Sequence, residues 1–246
     1  MNTMAPTVLQ TAMGLVIKHT LLSDPVQTNL GYFHLLCRST SSNNLYHMDV
    51  SRPRLIIASN NPSKIQEMRS MLKPLPIVVL RQPGGLNVEE TGKSYVENAL
   101  LKAKAAAELT GNCALADDSG LEVDILEGAP GLYSARYACS DEEKIARLLK
   151  AVGESAYRSA CFRSTMVLCA EDGHCVAAAE GICRGEILLS PAYADAGFES
   201  LLWVREAGCT YGEMNEAQLN RLGSRAKAAR QLSGKLLMQL GVEALT

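Results

Sequence analysis

The sequence is poor in histidine where chemistry would need it. His19, His34 and His47 lie in the first 48 residues, and only His174 follows, beside Asp172-Gly173 in an expected hairpin turn. A histidine general base is therefore disfavoured, and carboxylates lead as proton acceptors. No CxxC pair occurs among Cys37, Cys113, Cys139, Cys161, Cys169, Cys175, Cys183 and Cys209, so a zinc site lacks its usual ligand spacing. Several of these cysteines sit in apolar runs, as in Ala160-Cys161-Phe162 and Val167-Leu168-Cys169, and read as reduced, buried thiols of a cytoplasmic protein. No apolar run reaches the ~18 residues of a membrane span, so no membrane partner is expected. A formal net charge of −2 lacks the basic excess of a nucleic-acid-coating protein. A small anion held by a few local cations stays open.

What is present is a 246-residue chain, 47% hydrophobic and 20% charged, long enough to bury a substantial core. Residues 1–53 read as a poorly patterned N-terminal extension, with Arg38-Ser39-Thr40-Ser41-Ser42-Asn43-Asn44 as a flexible linker. The basic start, apolar centre and small-residue cleavage site of a secretory signal are missing as a set. A disordered extension, a transit peptide and a true start at Met48 all remain open. Residues 54–246 read as one domain, with no internal repeat.

Inside that domain Leu55–Ala58 is a short buried strand. Pro62 can open a helix in which Ile65, Met68 and Leu72 share a face. Ile77–Leu80 is a second strand, followed by a turn at Pro83-Gly84-Gly85. Ser94 with Glu97 forms a capping box for an alanine-rich helix that ends near Gly111. Ala114–Ala116 reads as a strand ending at Asp117-Asp118-Ser119-Gly120, and Glu142–Val152 as a helix. Residues 158–188 read as strands turned at Asp172-Gly173 and near Gly181, and Glu216–Leu240 as mainly helical. Alternating strands and helices followed by hairpins predict an α/β domain on a mixed sheet.

Three segments carry candidate chemistry. Ser59-Asn60-Asn61-Pro62-Ser63-Lys64 leaves a strand and opens a helix, where free amides and a partial positive charge suit phosphate. Asn61 can bond phosphate or sugar and Lys64 adds a cation; a plain turn with an Asn cap is the alternative. The glycines of a Walker loop are absent. Glu89-Glu90-Thr91-Gly92 and Asp117-Asp118-Ser119-Gly120 offer hard oxygen ligands of the kind Mg²⁺ uses to hold a triphosphate. Solvated turn acids, with an Asx-turn at Asp118, are the alternative there. Gly128–Ala138 is a rigid loop whose Arg136 could meet an anion, or a structural loop feeding a helix.

The ordered stretches ASNNPSK, EETGKSYVENALLKAKAAAE, ALADDSGLEVD and GAPGLYSARYA resemble the inosine triphosphate pyrophosphatase family over about Leu55 to Leu240. The resemblance implies an elongated mixed sheet with flanking helices and two lobes around a nucleotide-binding cleft. It also implies a homodimer, and Mg²⁺-dependent hydrolysis of ITP, dITP or XTP to the monophosphate and pyrophosphate. By position, Ser59 to Lys64 match the triphosphate-binding turn and Ser119 a substrate contact. Glu90 and Asp118 match metal ligands, and Asp118 also the proton acceptor. Gly197, Phe198, Glu199 and Arg225 fall on substrate-contacting positions. The C-terminal third departs from the family pattern. Phe-Gly-Tyr-Asp-Pro becomes Ala196-Gly197-Phe198-Glu199-Ser200, a lysine becomes Leu219, and Ser-His-Arg becomes Gly223-Ser224-Arg225. Purine selection is the property these changes put in question. Shifted or relaxed base choice, and a nucleotide-binding protein without turnover, are the competing readings.

Overall fold

The computed structural model of the protein describes residues 52–194 and 197–242. The expected linker, the Met48 start, Cys37 and three of the four histidines lie outside the described residues, as does Ala196.

Alternation sets the sheet. In β1 (Arg54–Ala58), Leu55 and Ile57 point to one side and Ile56 and Ala58 to the other, and all four are buried. A strand covered on both faces needs helices on both faces, and parallel neighbours need crossover connections. α1 (Pro62–Leu72) connects β1 to β2 (Val78–Arg81), and α2 (Tyr95–Thr110) leads from β2 to β3 (Cys113–Val123). Both β2 and β3 run parallel to β1. From β3 onward the sheet is antiparallel: β4 (Ser159–Cys169), β5 (Cys175–Ile187), β6 (Leu202–Val204) and β7 (Cys209–Thr210). The result is an open seven-stranded mixed sheet in the order β2-β1-β3-β4-β5-β6-β7.

Three apolar clusters hold it. On one face Leu55, Ile57, Met68, Leu115 and Leu232 pack between the sheet, α1 and α5 (Ser224–Gln239). On the other, Ile56, Ala114 and Val167 meet Ala99, Ala103, Ala106 and Ala107 of α2. The third cluster, with Leu121, Leu148, Phe198, Leu201 and Tyr211, fills the far end beneath α3 (Asp141–Val152). Gly111 ends α2 at φ 60°, the left-handed conformation that glycine adopts most cheaply. Ser94 caps α2 as expected, but Glu97 reaches back to the Lys93 amide at 2.6 Å, one residue before the cap.

Several boundaries differ from expectation. Asp117 to Gly120 are not a turn: β3 continues through them to Val123, paired residue by residue with β4. Pairing of all four with β4 outweighs the turn propensity of Asp, Ser and Gly. β5 also runs unbroken through Gly181. A Cβ there would collide with the Ser224 carbonyl oxygen and the Ala228 amide, so this glycine serves the docking of α5. The C-terminal helix is two: α4 (Glu216–Leu222) and α5 meet at Gly223. The loop at 128–138 is a 3₁₀ turn over Gly131–Arg136, fastened to β3 where Ser134 Oγ accepts from Leu121 N at 2.9 Å. The expectation of buried thiols fails at Cys139 and Cys175, which are exposed, and Cys209 is only partly buried; Cys113, Cys161, Cys169 and Cys183 are buried.

Candidate active site

One cleft of about 1580 Å³ gathers the candidate residues. Ser59 to Lys64 line it from the β1–α1 junction, Glu90 from the segment before α2, and Asp118 and Ser119 from β3. Gly197, Phe198 and Glu199 line it from the loop before β6, and Arg225 from the start of α5.

The turn after β1 is held by its own side chains. Asn61 Oδ1 accepts from Ser63 N at 2.9 Å and from Lys64 N at 3.2 Å, so it caps α1. Its Oδ1 serves as the cap, and a phosphate contact would fall to its Nδ2 donor, so the two roles are compatible. Ser59 Oγ accepts from Asn61 N at 3.2 Å. Asn60 Nδ2 donates to Leu86 O at 3.1 Å while its Oδ1 accepts from Gln82, which ties the turn to the segment after β2. Lys64 Nζ lies 2.8 Å from Asp117 Oδ2. Burial lowers the Lys64 ammonium, partly offset by that carboxylate.

The β3 pleat divides two adjacent carboxylates. Asp117 faces α1 and α5, with its side chain 0% exposed. Besides Lys64 it accepts from Arg225 Nε at 3.1 Å. Arg225 also pairs with Glu67 and donates to Ser119 Oγ at 2.8 Å. Burial alone would raise Asp117, but Arg225 and Lys64 outweigh it and hold the carboxyl well below the usual range. From the sequence, Asp117 is marked only as part of a segment of possible metal ligands, and Glu67 is not marked at all. The available signal was two cations, Lys64 and Arg225, each needing a buried counter-ion.

Asp118 faces α2. Asn98 Nδ2 donates to its Oδ2 at 3.2 Å, and Lys102 Nζ lies 3.4 Å from its Oδ1. Burial raises this carboxyl above its ordinary value despite Lys102. Lys102 also binds Glu90 at 2.8 Å, and Arg136 stands 3.6 Å from the same carboxylate. Burial opposes the Glu90 charge, yet the Lys102 hydrogen bond and charge leave its carboxyl below the ordinary value. Arg136 thus meets an anion, but one of the protein's own. Asn98 and Lys102 sit on one face of α2 at the spacing that brings helix side chains together.

Among the described residues no group of three or more His, Cys, Asp or Glu side chains forms a closed metal cage. Glu90 and Asp118 do converge on a single cation, the Lys102 ammonium. Two carboxylates at one point, with the remaining positions left to substrate oxygens and water, suit Mg²⁺ better than a full protein cage would.

The other end of the cleft is less charged. Phe198 is 6% exposed and packs against the Tyr137 ring at 6.1 Å between centroids, so little of it reaches the cleft. Glu199 Oε1 accepts from Gly197 N at 3.1 Å. Ser224 shares a 2.8 Å hydrogen bond with Ser164 and is 1% exposed. Leu219 lines the wall.

A sequence model of the Ham1 family matches residues 55–235. The chain is 47% identical over 183 residues to a dITP/XTP pyrophosphatase of Synechococcus sp. (strain CC9311), covering 74% of this chain and 89% of the relative. It is 41% identical over 191 residues to the dITP/XTP pyrophosphatase of Nostoc sp. (strain PCC 7120 / SAG 25.82 / UTEX 2576), covering 77% and 97%. The solved structure of a HAM1 protein from Coxiella burnetii superposes with a TM-score of 0.67 at 34% identity, covering 76% of this chain and 99% of that one. The Staphylococcus aureus Ham1 protein gives 0.64 at 34% identity, covering 74% and 97%.

Proposed function

We infer that this chain, which belongs to the Ham1 family, hydrolyses non-standard purine nucleoside triphosphates such as dITP, ITP and XTP to the monophosphate and pyrophosphate. The observation that carries the reading is Asp118, a buried carboxyl raised above its ordinary value and standing beside Glu90 and Lys102 in the cleft. A carboxylate made more basic by burial, yet opening on a cleft, is equipped to take a proton from water.

In this reading the triphosphate lies along the turn from Ser59 to Lys64, with Lys64, Lys102 and Arg225 supplying positive charge. Each of these cations is pre-paired with a carboxylate, so none has to be ordered when substrate arrives. Asp118 accepts the water proton as the water oxygen bonds to the α-phosphorus. The α–β bridge breaks, and pyrophosphate leaves with the bridging oxygen. Mg²⁺ would be held by Glu90 and Asp118, neutralising phosphate charge and lowering the pKa of bound water. Ser119, oriented by Arg225, is a substrate contact, and the segment Gly197–Glu199 adjoins the base. The active form is a homodimer acting in the cytoplasm. Among the described residues no helix is long and apolar enough to cross a membrane.

The test is pyrophosphate release from ITP, XTP, ATP, GTP and CTP, with and without Mg²⁺. Release of one pyrophosphate per monophosphate, dependent on Mg²⁺, is expected. Nucleotide binding with no pyrophosphate from any substrate would instead favour a binding protein without turnover.

A further inference from the structure

The β4–β5 hairpin closes over residues 170–174. Gly173 N donates to Ala170 O at 2.9 Å, and Ala170 N donates to His174 O at 3.0 Å. Gly173 supplies the left-handed conformation this turn needs, at φ 85°. Ala170 thus bonds to Gly173 and His174 together, a glycine bulge that closes the turn, and the next pair along the ladder is Cys169 with Cys175. Hydrogen-bonded and non-hydrogen-bonded pairs alternate in an antiparallel ladder, and the second kind brings Cα atoms to about 4.5 Å with side chains close together. A disulfide requires Cα separations of roughly 4.4–6.8 Å. The ladder shifts register between Leu168 and Cys169, leaving Val176 without a partner, so this end of the hairpin is less tightly constrained than a regular ladder.

We propose that Cys169 and Cys175 are a thiol pair that closes reversibly to a disulfide across the hairpin when the protein meets a hydroperoxide. The two thiols are unequal. Cys175 is exposed and open to attack, whereas Cys169 is buried under α2 beside Ala103, Ala106 and Ala107. The second close combination, Cys161 and Cys183, lacks this geometry. Cys183 lies opposite Phe162, and successive strand residues point to opposite faces, so Cys161 faces away from it.

The chemistry balances in two steps. The Cys175 thiolate attacks a hydroperoxide, an S–O bond forms as the O–O bond breaks, and an alcohol leaves. Cys169 sulfur then attacks Cys175 sulfur, an S–S bond forms as the S–O bond breaks, and water leaves with the Cys169 proton. Two thiols give up two electrons to one peroxide, and a dithiol reductant returns them. None of this involves the nucleotide site.

The experiment exposes the full chain to hydrogen peroxide, quenches with an alkylating agent and reads peptide masses. One tryptic peptide, Ser164–Arg184, contains Cys169, Cys175 and Cys183. When reduced it should take three alkyl groups. After oxidation it should take one and lose the mass of two hydrogens. Cleavage after Glu171 and Glu180 then separates the three cysteines, and the Cys169 and Cys175 fragments should stay joined until a dithiol is added. Cys175→Ser, at an exposed position, should abolish the bond, while Cys183→Ser should leave it intact. Conversion of Cys175 to sulfinic or sulfonic acid with Cys169 still alkylated would overturn the proposal. So would a bond from Cys175 to Cys183 or to a second chain.

Discussion

Asp117 and Asp118 are neighbours in sequence and opposites in environment. The pleat of β3 sends one into a network of Lys64, Arg225 and Glu67, and the other toward Asn98 and Lys102. Asp118→Asn keeps size and burial but removes the proton acceptor. Turnover should fall by about 10²-fold or more while the fold survives; an unchanged kcat in a folded variant would remove Asp118 from the mechanism. Asp117 makes a different prediction, because its folded pKa is depressed. Its contribution to stability is complete above the unfolded carboxylate value of ~4 and is lost as pH falls through the lower folded value. Thermal unfolding from pH 6 downward should therefore show a loss of Tm below about pH 4 that Asp117→Asn largely lacks, with the variant already less stable at neutral pH. Equal acid sensitivity in both proteins would show that the buried pairs do not govern it. Lys64→Ala removes a cleft cation and strips Asp117 of one of its two partners, so KM should rise and kcat/KM fall. The acidic pair was legible in the sequence as carboxylates of interest. Their division of labour was not, because it depends on which side of an extended strand each faces, and the sequence suggested a turn.

At the scale of elements, what could be read was what local periodicity dictates. The run Leu55–Ala58, the i, i+3, i+7 pattern from Ile65 and the Ser94 cap mark β1, α1 and α2 without knowledge of neighbours. Elements whose limits depend on partners were misread. β3 runs on through four turn-forming residues because β4 pairs with each of them, and β5 runs through Gly181 because the glycine accommodates α5. The second case has a direct consequence. Arg225 is the second residue of α5, so the close approach at Gly181 places its guanidinium between Asp117 and Ser119. Gly181→Ala forces a methyl group against the backbone of Ser224 and Ala228. It should cost about 1–3 kcal/mol, the range for overpacking a closed site. Because the shift is transmitted to Arg225, kcat/KM should drop by more than in a control such as Gly234→Ala, where a Cβ meets nothing within 4 Å. Equal kinetics in the two variants, measured well below their unfolding temperatures, would mean that α5 absorbs the methyl without moving its first turn.

The whole molecule decides substrate choice, since the less charged end of the cleft is assembled from segments far apart in sequence: Phe162 and Ser164 on β4, Phe198 and Glu199, and Leu219, Asn220 and Ser224. Sequence reading found the individual departures there but not their surroundings. The structure shows that Ser224 is not a free hydroxyl facing a ligand: it is buried and bonded to Ser164, so its hydrogen-bonding capacity is partly committed inside the protein. Leu219 offers only an apolar wall, and Phe198 carries no hydroxyl. A site rejects the wrong base strongly only when a buried donor or acceptor would be left unpaired by it. At this end the Tyr211 hydroxyl is the one buried side-chain group left without a partner among the described residues; with so few such groups, discrimination between a 6-oxo and a 6-amino purine should be weak, and ITP should be preferred to ATP by less than ~10²-fold in kcat/KM. Installing donors should raise that preference: the double variant Leu219→Lys, Ser224→His should favour ITP more than the parent does. Because histidine at the buried position 224 must displace the Ser164 contact, Leu219→Lys alone serves as the second arm, placing an ammonium at the cleft wall without disturbing β4. A parent enzyme that already separates ITP from ATP by ~10²-fold or more, together with no gain from Leu219→Lys, would place selection elsewhere. Glu199 and the backbone amides around Gly197 would then be the groups that read the base.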